Sequence, residues 1–422
     1  MSIDSVDVAV IGCGVSGATA ALAAAKKGVS VAILEEDIQV GEPSHCSGHV
    51  GISGFKRFGP AIPRRIIENE IKGAVLHAPD GRRLILQRPS PVTWVLNRAE
   101  FDRHIASLAT RSGAELHLNS RVEGFGRSED GRFHLRITGP KRREISCKIV
   151  IDAAGCGASI SKYAGLPRSG TRMLVNSAQF GAENLIDVDR DFVEVYFGQH
   201  YAPGFFGWII PRRDGSAKIG IAADSRANVR ECLKRFVSKH PVASSKLRRA
   251  KSLTPPTYHP IPVGGARDQT YTDGILTVGD AASQVKPTTG GGIVFGLVCG
   301  RLAGETAAGG VLTDNTSASR LREYEEAWRQ QIGFDLEAMS WLRRLLYRLP
   351  DPYLNRIFKI SSDLRANAVL DRASDIDFQG KTMLSLARDP RFFITLLSAS
   401  LLSAPSLLGS SRSPRRKTVG QV

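Results

Sequence analysis

Hydrophobic residues run almost without interruption through the start of the chain, then recur at helical spacing, then run together again. Val6–Ile11 predicts a buried strand, Thr19–Lys27 an alanine-rich helix, and Val29–Leu34 a second strand. A glycine-rich turn at residues 12–17 separates the first strand from the helix. This order predicts a β-α-β unit with two parallel strands.

Shorter runs follow this unit. Gly73–Leu96 predicts short strands joined by tight turns, and Arg98–Arg111 predicts a helix. Phe133–Val150 has the alternation of a β-meander, and Gly165–Pro262 contains alternating runs that predict a separate antiparallel sheet. The residues from 331 onward have helical spacing, so we expect an α/β protein with a helical C-terminal region.

Three glycines in the turn have separate roles in a dinucleotide-binding unit. Gly12 permits the tight turn, Gly14 lets the backbone approach a pyrophosphate, and Gly17 permits close packing of the helix on the strand. The N–H groups and the dipole at the start of the helix favour phosphate. Glu35 follows the second strand, where an acidic side chain can accept hydrogen bonds from an adenosine ribose. The pattern therefore predicts binding of NAD or FAD.

A second glycine-rich region occurs late in the chain. The strand-like run 274–278 ends at Gly279 and Asp280, and Gly290–Gly292 precedes a helix of small residues. A carboxylate accepts hydrogen bonds from polyol hydroxyls, and glycines let backbone N–H groups approach an electron-rich ring. We expect this region to return to the cofactor.

The composition is that of a folded protein of about two or three domains, because 42% of the 422 residues are hydrophobic and 23% are charged. Lys and Arg outnumber Asp and Glu by 57 to 41, and the net charge of +16 favours polyanions or an anionic membrane surface. Aromatic residues are only 7%, and no basic stretch alternates with aromatic residues as in a nucleic-acid groove. We therefore expect no nucleic-acid partner.

The cysteines do not form the pattern of a disulfide framework or a metal site, since no C-x-x-C pair occurs. The N-terminus lacks the basic flank and the long apolar core of a secretory signal. These features predict reduced thiols, no metal and a cytoplasmic protein. The six cysteines are Cys13, Cys46, Cys147, Cys156, Cys232 and Cys299.

The stretch Glu42–Gly48, together with Gly279 and Asp280 after the late strand, resembles the FAD-binding fold of the glutathione-reductase and p-hydroxybenzoate-hydroxylase type. Within that fold the chain looks most like the geranylgeranyl reductases, which saturate isoprenoid chains of lipids or chlorophyll precursors. The resemblance covers residues 4 to 330. It implies FAD as the cofactor and an α/β fold with a Rossmann-like FAD-binding part, an antiparallel-sheet substrate domain and a helical C-terminal region.

The resemblance implies cofactor contacts in both glycine-rich regions. The first glycines would hold the pyrophosphate, Glu35 the adenosine ribose and Asp280 the ribityl chain. Arg98 opens a matching Arg-x-x-Phe-Asp motif and would also contact the cofactor. The cofactor-binding residues implied in this way are Gly12, Gly14, Gly17, Glu35, Cys46, Arg98, Gly279, Asp280, Gly291, Gly292 and Ile293.

Cys46 occupies the place of a cysteine that archaeal lipid reductases carry near the flavin, in a G-x-P-x-x-C stretch. We expect Cys46 to be the catalytic residue, as a proton donor, with water or a neighbouring acid as the alternatives. Many cysteines act only as small buried hydrophobic residues. His45 is a second candidate for proton transfer, because an ordinary histidine titrates near neutral pH.

Pro203–Pro211 resembles the P-x-x-Y-x-W-x-F-P signature of the family's substrate cavity. Phe206 replaces the tyrosine and Ile210 replaces the phenylalanine, so the wall stays apolar but loses a hydroxyl. The substrate-binding residues that the resemblance implies are Phe206, Trp208 and Pro211. An aromatic pocket suits a hydrocarbon chain.

The order of the predicted strands and helices divides the chain into parts. We expect a discontinuous FAD-binding domain, a substrate-binding antiparallel-sheet domain, a helical region and a basic tail. Their expected limits are 1–72, 97–164 and 265–330 for the FAD-binding domain, 73–96 and 165–264 for the substrate domain, 331–410 for the helical region and 411–422 for the tail.

Two C-terminal segments favour contact with a lipid surface. Phe392–Ala404 is apolar but too short to span a bilayer, and its apolar face suits either an interfacial helix or ordinary core packing. Trp341–Leu349 combines basic and apolar residues, as at an anionic membrane surface or on a solvated helix face. We expect peripheral contact with the cytoplasmic face of the membrane.

The functional hypothesis is an FAD-dependent reductase that saturates carbon-carbon double bonds of geranylgeranyl chains, on an archaeal-type ether phospholipid, by hydride transfer from reduced flavin. One alternative is an FAD-dependent monooxygenase or halogenase on an aromatic or polyketide-like substrate. Others are an electron-transfer flavoprotein and a basic binding module without FAD. The electron donor stays open between ferredoxin, NADPH and others, because no second nucleotide motif occurs.

Overall fold

The computed structural model describes residues 4–139, 143–157, 166, 173–347, 349–365, 376–386 and 388–391, with residues 394 and 397. Most of the predicted interfacial segment 392–404 and all of the tail 411–422 lie outside these residues. None of the helices within the described ranges combines the length and the apolar character that a bilayer crossing requires.

The described residues form three sheets with helices between and around them. The strands are β1 (Asp4–Ile11), β2 (Val31–Leu34), β3 (His49–Gly51), β4 (Ile67–Ile71), β5 (Gly73–His77), β6 (Arg83–Gln87), β7 (Thr93–Leu96), β8 (Glu115–His117), β9 (Arg121–Arg127), β10 (Phe133–Thr138), β11 (Arg143–Asp152), β12 (Leu174–Glu183), β13 (Phe192–Phe197), β14 (Phe206–Pro211), β15 (Ala217–Asp224), β16 (Lys251–Ser252), β17 (Thr257–Pro262), β18 (Tyr271–Thr272) and β19 (Ile275–Thr277). The helices are α1 (Val15–Ala25), α2 (Ile52–Phe58), α3 (Arg98–Arg111), α4 (Val229–Lys239), α5 (Ala243–Leu247), α6 (Ile293–Leu312), α7 (Ala318–Trp328), α8 (Phe334–Leu346), α9 (Asp351–Asp363) and α10 (Gln379–Leu386). Single turns of 3-10 helix lie at Arg64–Ile66, Gly155–Gly157 and Gly279–Ala282, and a π-helical turn lies at Arg329–Gly333.

The first sheet contains the predicted β-α-β unit. Its strands follow the order β18-β19-β11-β1-β2-β8, and β19, β11, β1, β2 and β8 are parallel neighbours. The hairpin β9-β10 pairs with β11. The carboxyl ends of parallel strands lie at one edge of a sheet, which is where such folds bind their ligands. The glycine turn after β1, Glu35 after β2 and Gly279 after β19 therefore meet at this edge.

The first helix begins earlier than the sequence pattern predicted. It starts at Val15, inside the glycine-rich stretch 12–17, with Gly14 as its N-cap, rather than at Thr19. Gly14 has extended backbone angles (φ −70°, ψ −178°), as an N-cap requires, so the small residues that follow can enter the helix at once. The helix ends at Ala25, before Gly28, whose φ is +84°.

Helices α1 and α6 pack with their backbones in direct contact. A Cβ atom on Gly300 would lie 2.4 Å from the carbonyl oxygen of Ser16, and one on Gly304 would lie 2.1 Å from that of Ala20. Only glycine fits at both positions, and α6 is buried along most of its length. The late helix therefore covers the helix of the cofactor unit.

The second sheet follows the order β16-β12-β15-β14-β13-β5-β6, with β17 paired to β12. The prediction of an antiparallel sheet is confirmed, with one exception, because β5 and β13 run parallel. Helices α4 and α5, which the sequence pattern did not predict, cover one face through Cys232, Leu233 and Phe236. The opposite face carries Phe206, Trp208 and Ile210.

A third, three-stranded sheet in the order β3-β7-β4 lies between the other two. Of the strands in residues 73–96, β5 and β6 join the second sheet, whereas β7 pairs with β3 and β4. Leu96 of β7 packs in the core of the cofactor unit, and Val95 packs on the second sheet. The strand β7 therefore connects the two cores, and the domain limits given above stay a prediction.

Candidate active site

The glycine turn after β1 leaves open space in front of helix α1. Gly12 has a φ of +92°, and a Cβ atom on it would lie 2.6 Å from the oxygen of Ala153. A Cβ atom on Gly17 would lie 2.0 Å from the oxygen of Gly12, whereas one on Gly14 would meet no atom within 4 Å. The turn and the helix are therefore packed tightly at Gly12 and Gly17, and Gly14 faces the space that a pyrophosphate needs.

Glu35 reaches back over this turn. Its Oε2 accepts a hydrogen bond from the Cys13 N–H at 2.6 Å, and its Oε1 accepts one from the Asp37 N–H at 3.1 Å. Burial raises the pKa of Glu35, and the two N–H donors oppose this rise. Each carboxylate oxygen can accept a further hydrogen bond, so the side chain can still bind ribose hydroxyls.

The late glycine-rich region contacts the start of α1 and the second sheet. A Cβ atom on Gly279 would lie 2.3 Å from Oγ of Ser16, and one on Gly292 would lie 3.3 Å from Oδ1 of Asp280. A Cβ atom on Gly290 would lie 3.1 Å from Cγ2 of Ile261 in β17. Removal from water raises the pKa of Asp280, and the charge of Arg98 opposes the rise.

Cys46 lies beside two cations. Arg98 binds Asp102 through two hydrogen bonds of 3.1 and 2.9 Å and also hydrogen-bonds the Cys46 thiol. Lys218 extends from β15 and donates to the carbonyl oxygens of Ser47 at 2.9 Å and Leu96 at 3.0 Å. Arg98 and Lys218 therefore fix both the side chain and the backbone of this segment. Lys218 was not recognised from the sequence, because it lies far from Cys46 along the chain.

Two histidines stack at this edge of the second sheet. The rings of His45 and His259 are 3.7 Å apart and almost parallel. Burial, together with the positive charges of His45 and Arg98, lowers the pKa of His259 to about 4. The polar side-chain atoms of Cys156, His259 and Asp280 lie within 4.8 Å of one another. The structure thus brings His259 and Cys156, which no sequence motif marked, to the predicted ribityl contact.

A buried ion pair holds the loop that leads to Gly290. Nζ of Lys286 lies 2.6 Å from Oδ1 of Asp377, and both side chains are less than a tenth exposed. Oδ2 of Asp377 accepts a hydrogen bond from the Gly51 N–H at 3.0 Å. The C-terminal segment therefore connects the glycine loop to β3, an arrangement that no local sequence pattern indicated.

Aromatic rings pack against one another in an apolar region next to the glycine loop. Phe205 and Phe206 stack with ring centres 4.3 Å apart, and Phe206 lies 6.1 Å from Trp208 and 6.5 Å from Tyr347. A Cβ atom on Gly290 would lie 3.6 Å from Cζ of Phe205. We use the term aromatic chamber for Phe205, Phe206, Trp208 and Tyr347.

Strand alternation separates the predicted substrate residues. Phe206, Trp208 and Ile210 share one face of β14, whereas Pro211 belongs to the other set of positions. The carbonyl oxygen of Pro211 accepts a hydrogen bond from Nδ2 of Asn69 at 3.0 Å. The structure therefore places Ile210, rather than Pro211, beside the other two residues.

Acid is expected to destabilise the protein through several histidines with lowered pKa values, among them His49 and His240. Partial burial and the charges of Lys286 and Lys218 lower the pKa of His49 to about 3, and burial and His77 lower that of His240 to about 4. The ordinary pKa of histidine is 6.5. As the pH falls below this value, the unfolded chain therefore binds protons that the folded chain does not bind. These groups do not affect stability above that pH. Between roughly pH 6 and pH 4, each lowers the free energy of unfolding by up to about 1.4 kcal/mol per pH unit.

Urea unfolding of the holoprotein at several pH values between 7.5 and 4.5 measures this effect. His49→Gln is expected to reduce the steepness of the acid loss, whereas His200→Gln, at an exposed position, should leave it unchanged. An equally steep loss in His49→Gln would contradict the role of His49.

These features together fit FAD. The open space at Gly14, the acceptor at Glu35, the clustered Arg98 and Asp280, and the glycine loop follow one another along the edge of the first sheet. When bound, FAD supplies the hydride-transferring ring, and the glycine loop and aromatic chamber would lie beside it.

Comparison with known proteins supports this assignment. The family profile for FAD-dependent oxidoreductases matches residues 7–195, and that for the geranylgeranyl reductase catalytic domain matches residues 175–253. The digeranylgeranylglycerophospholipid reductase of Methanocaldococcus jannaschii is 32% identical over 84% of this chain and 90% of its own length. A digeranylgeranylglycerophospholipid reductase of Methanopyrus kandleri is 33% identical over 78% of this chain and 83% of its own length.

Comparison with solved structures supports the same assignment. A geranylgeranyl bacteriochlorophyll reductase-like protein from Thermoplasma acidophilum superimposes with a TM-score of 0.82 at 25% identity, covering 94% of this chain and all of its own. A flavin-dependent brominase has a TM-score of 0.65 at 16% identity over 97% of this chain and 98% of its own, so it shares only the fold. The chain therefore belongs to the geranylgeranyl reductase family, with the digeranylgeranylglycerophospholipid reductases, and is an FAD-dependent oxidoreductase.

Proposed function

We propose that this reductase saturates carbon-carbon double bonds of geranylgeranyl chains on an ether phospholipid. The aromatic chamber carries the proposal, because it places an apolar surface directly beside the glycine loop of the cofactor site. The names of the relatives support the same substrate.

The chamber is suited to a chain that offers only hydrocarbon for recognition. Phe205, Phe206 and Trp208 are each less than a tenth exposed. The indole N–H of Trp208 donates to Oε1 of Gln179 at 3.1 Å, so the ring is fixed without a free polar group. A Cβ atom on Gly220 would lie 2.3 Å from Cζ2 of Trp208, so the ring lies flat on β15. These contacts position the alkene and exclude water from it.

Cys46 is the proposed proton donor. The Cys46 thiol would supply a proton to one alkene carbon, and reduced flavin, when bound, would supply the hydride to the other, so that the double bond becomes a single bond. The Arg98 guanidinium hydrogen-bonds the sulfur, which leaves the S–H group to point away from Arg98. Solvent returns the proton to Cys46 after turnover.

The role of the thiol can be tested by substitution. Cys46→Ala is expected to slow the oxidation of reduced flavin by lipid about a hundredfold, since a positioned general acid contributes 10²–10⁴-fold. Binding of FAD should change little. Stopped-flow absorbance under anaerobic conditions measures the rate, with Cys232→Ala, at a buried cysteine of α4, as the matched control. An unchanged rate in Cys46→Ala would assign the proton to water or to another acid.

The substrate itself is tested with the reduced holoprotein. The protein is reduced with dithionite without oxygen, given a geranylgeranylated glycerophospholipid, and the lipid is analysed by mass spectrometry. We expect two-hydrogen increments that Trp208→Ala diminishes. Unchanged lipid beside a reducible flavin would overturn the proposal, and oxygen-dependent NADPH consumption with an aromatic substrate would favour a monooxygenase instead.

Peripheral contact with a membrane belongs to the proposal, because the lipid must leave a bilayer. Phe334 and Trp341 are 49% and 42% exposed, and both lie on one face of α8 with Arg344. Exposed aromatic residues beside a basic side chain are typical of a membrane-surface helix.

A further inference from the structure

A cavity lies outside the cofactor site. It has a volume of about 480 Å³ and is enclosed by the loop after β17, the π-helical turn and α8. Trp328 and Leu336 form apolar parts of its wall. The charged residues that line it are Arg267, Arg329, Arg343, Arg344, Asp268 and Glu337.

Two of the arginines are held in place by carbonyl oxygens. Arg329 donates to the Asp268 oxygen at 2.8 Å and pairs with Glu325, and its guanidinium lies over the Trp328 ring. Arg343 is buried and donates to the oxygens of two loops that face the substrate region, at 3.3 and 3.0 Å. These contacts hold both guanidinium groups in fixed positions in the wall, and Glu325 offsets the charge of Arg329.

Arg344 differs from Arg329 and Arg343. It is exposed, and it makes no hydrogen bond or ion pair with any residue in the part of the chain that the structure describes. Arg267, in contrast, is only 4% exposed. The cavity therefore has fixed guanidinium groups in its wall and a guanidinium with free donors at its rim, an arrangement that suits the oxygens of a phosphate.

The cavity lies next to the aromatic chamber. Met173 and Val263 line the cavity and also pack in the cluster that contains Phe206 and Trp208. The Arg343 guanidinium lies 5.3 Å from the Phe205 ring centre and 4.8 Å from that of Tyr347. One side of this region is therefore cationic and the other is apolar, as an amphiphilic ligand requires.

We infer that this cavity binds the phosphate of the prenylated phospholipid whose hydrocarbon chain enters the aromatic chamber. The inference rests on the proposed function. Arg344 offers free donors at the rim of a cavity that three other arginines line, so an anion is favoured over a neutral head group. The exposed rings of Phe334 and Trp341 on the same helix favour a phosphate that arrives on a lipid over a free one.

Arg344→Gln tests the inference, because its side chain is exposed and supports no other described residue. With dithionite-reduced holoprotein, we expect KM for the geranylgeranylated phospholipid to rise about tenfold, because the variant loses one charge-assisted contact with the phosphate. KM for the same diether without phosphate, and kcat for both lipids, should stay unchanged. Arg322→Gln, at an exposed arginine on α7, is the control and should behave as wild type.

The outcomes separate the sources of phosphate. Competition by inorganic phosphate against the phospholipid, weakened in Arg344→Gln, supports the inference. The inference is overturned if Arg344→Gln raises KM equally for both lipids, or raises it for neither lipid. If phosphate binds but phospholipid KM is unchanged in the variant, the cavity takes a free anion and the inference is also wrong. A defect seen only with reduced ferredoxin as donor would instead assign the surface to that protein.

A failure of the proposed function can be distinguished from a failure of this inference. If wild-type protein reduces neither lipid, the substrate proposal fails, and binding is then measured directly. Calorimetric titration of the holoprotein with glycerol 3-phosphate should show binding that Arg344→Gln weakens, and no binding would overturn the inference by itself.

Discussion

Gly14→Ala is expected to weaken FAD binding about a hundredfold, or about 2.8 kcal/mol, without destabilising the apoprotein. The new methyl group meets no protein atom within 4 Å, and the backbone angles of Gly14 are allowed for alanine. Replacing a glycine N-cap with alanine costs roughly 0.5–1 kcal/mol, and the lower entropy of the unfolded chain offsets most of this cost. The methyl group does, however, fill the space that the pyrophosphate needs.

Fluorescence titration of apoprotein with FAD measures the affinity, and thermal unfolding of the apoprotein measures the stability. Gly17→Ala is the matched comparison, because its methyl group would lie 2.0 Å from the Gly12 oxygen. That variant should lose stability even without FAD. Normal FAD affinity in Gly14→Ala would show that the pyrophosphate does not lie at this turn.

Asp377→Asn is expected to lower the free energy of unfolding by about 3 kcal/mol, because it leaves the buried Lys286 ammonium without its counter-charge. FAD affinity should fall as well, since Lys286 belongs to the loop that leads to Gly290. A Cβ atom on Gly291 would lie only 2.6 Å from Cε of Lys286, so a shift of the lysine moves the glycine loop. Urea unfolding and FAD titration measure the two effects.

Glu326→Gln provides the control for this pair. It removes the exposed ion pair with Arg322 and should cost less than about 0.5 kcal/mol. The double variant Lys286→Met/Asp377→Leu should recover much of the lost stability, because it removes both buried charges. Wild-type stability and FAD affinity in Asp377→Asn would show that the pair does not hold the loop.

The sequence allowed the cofactor unit to be predicted because its signals are local. The glycine turn, the acid after β2 and the Gly-Asp pair after β19 each occupy the end of a parallel strand. Helix α3 has the predicted limits, since Asn97 caps it by accepting a hydrogen bond from the Glu100 N–H at 3.1 Å.

The remaining parts of the site depend on contacts between distant segments. His259 reaches His45 only because β17 pairs with β12, and Ser177 lies opposite His259 in that register. Lys286 and Asp377 approach each other through the return of the C-terminal segment. The residues next to Lys286 and Asp377 in the sequence do not indicate an ion pair, because a buried charged residue can be recognised only when its partner is known.

The backbone contact between α1 and α6 also determines when the protein can fold. The residues of α1 are made near the start of synthesis, but the surface that covers this helix belongs to α6, which follows the strands of both large sheets in the sequence. Contacts of such long sequence separation slow folding and leave apolar surface exposed while the chain is made. The nascent chain therefore presents the alanine face of α1 to solvent and to chaperones until residues 293–312 have left the ribosome.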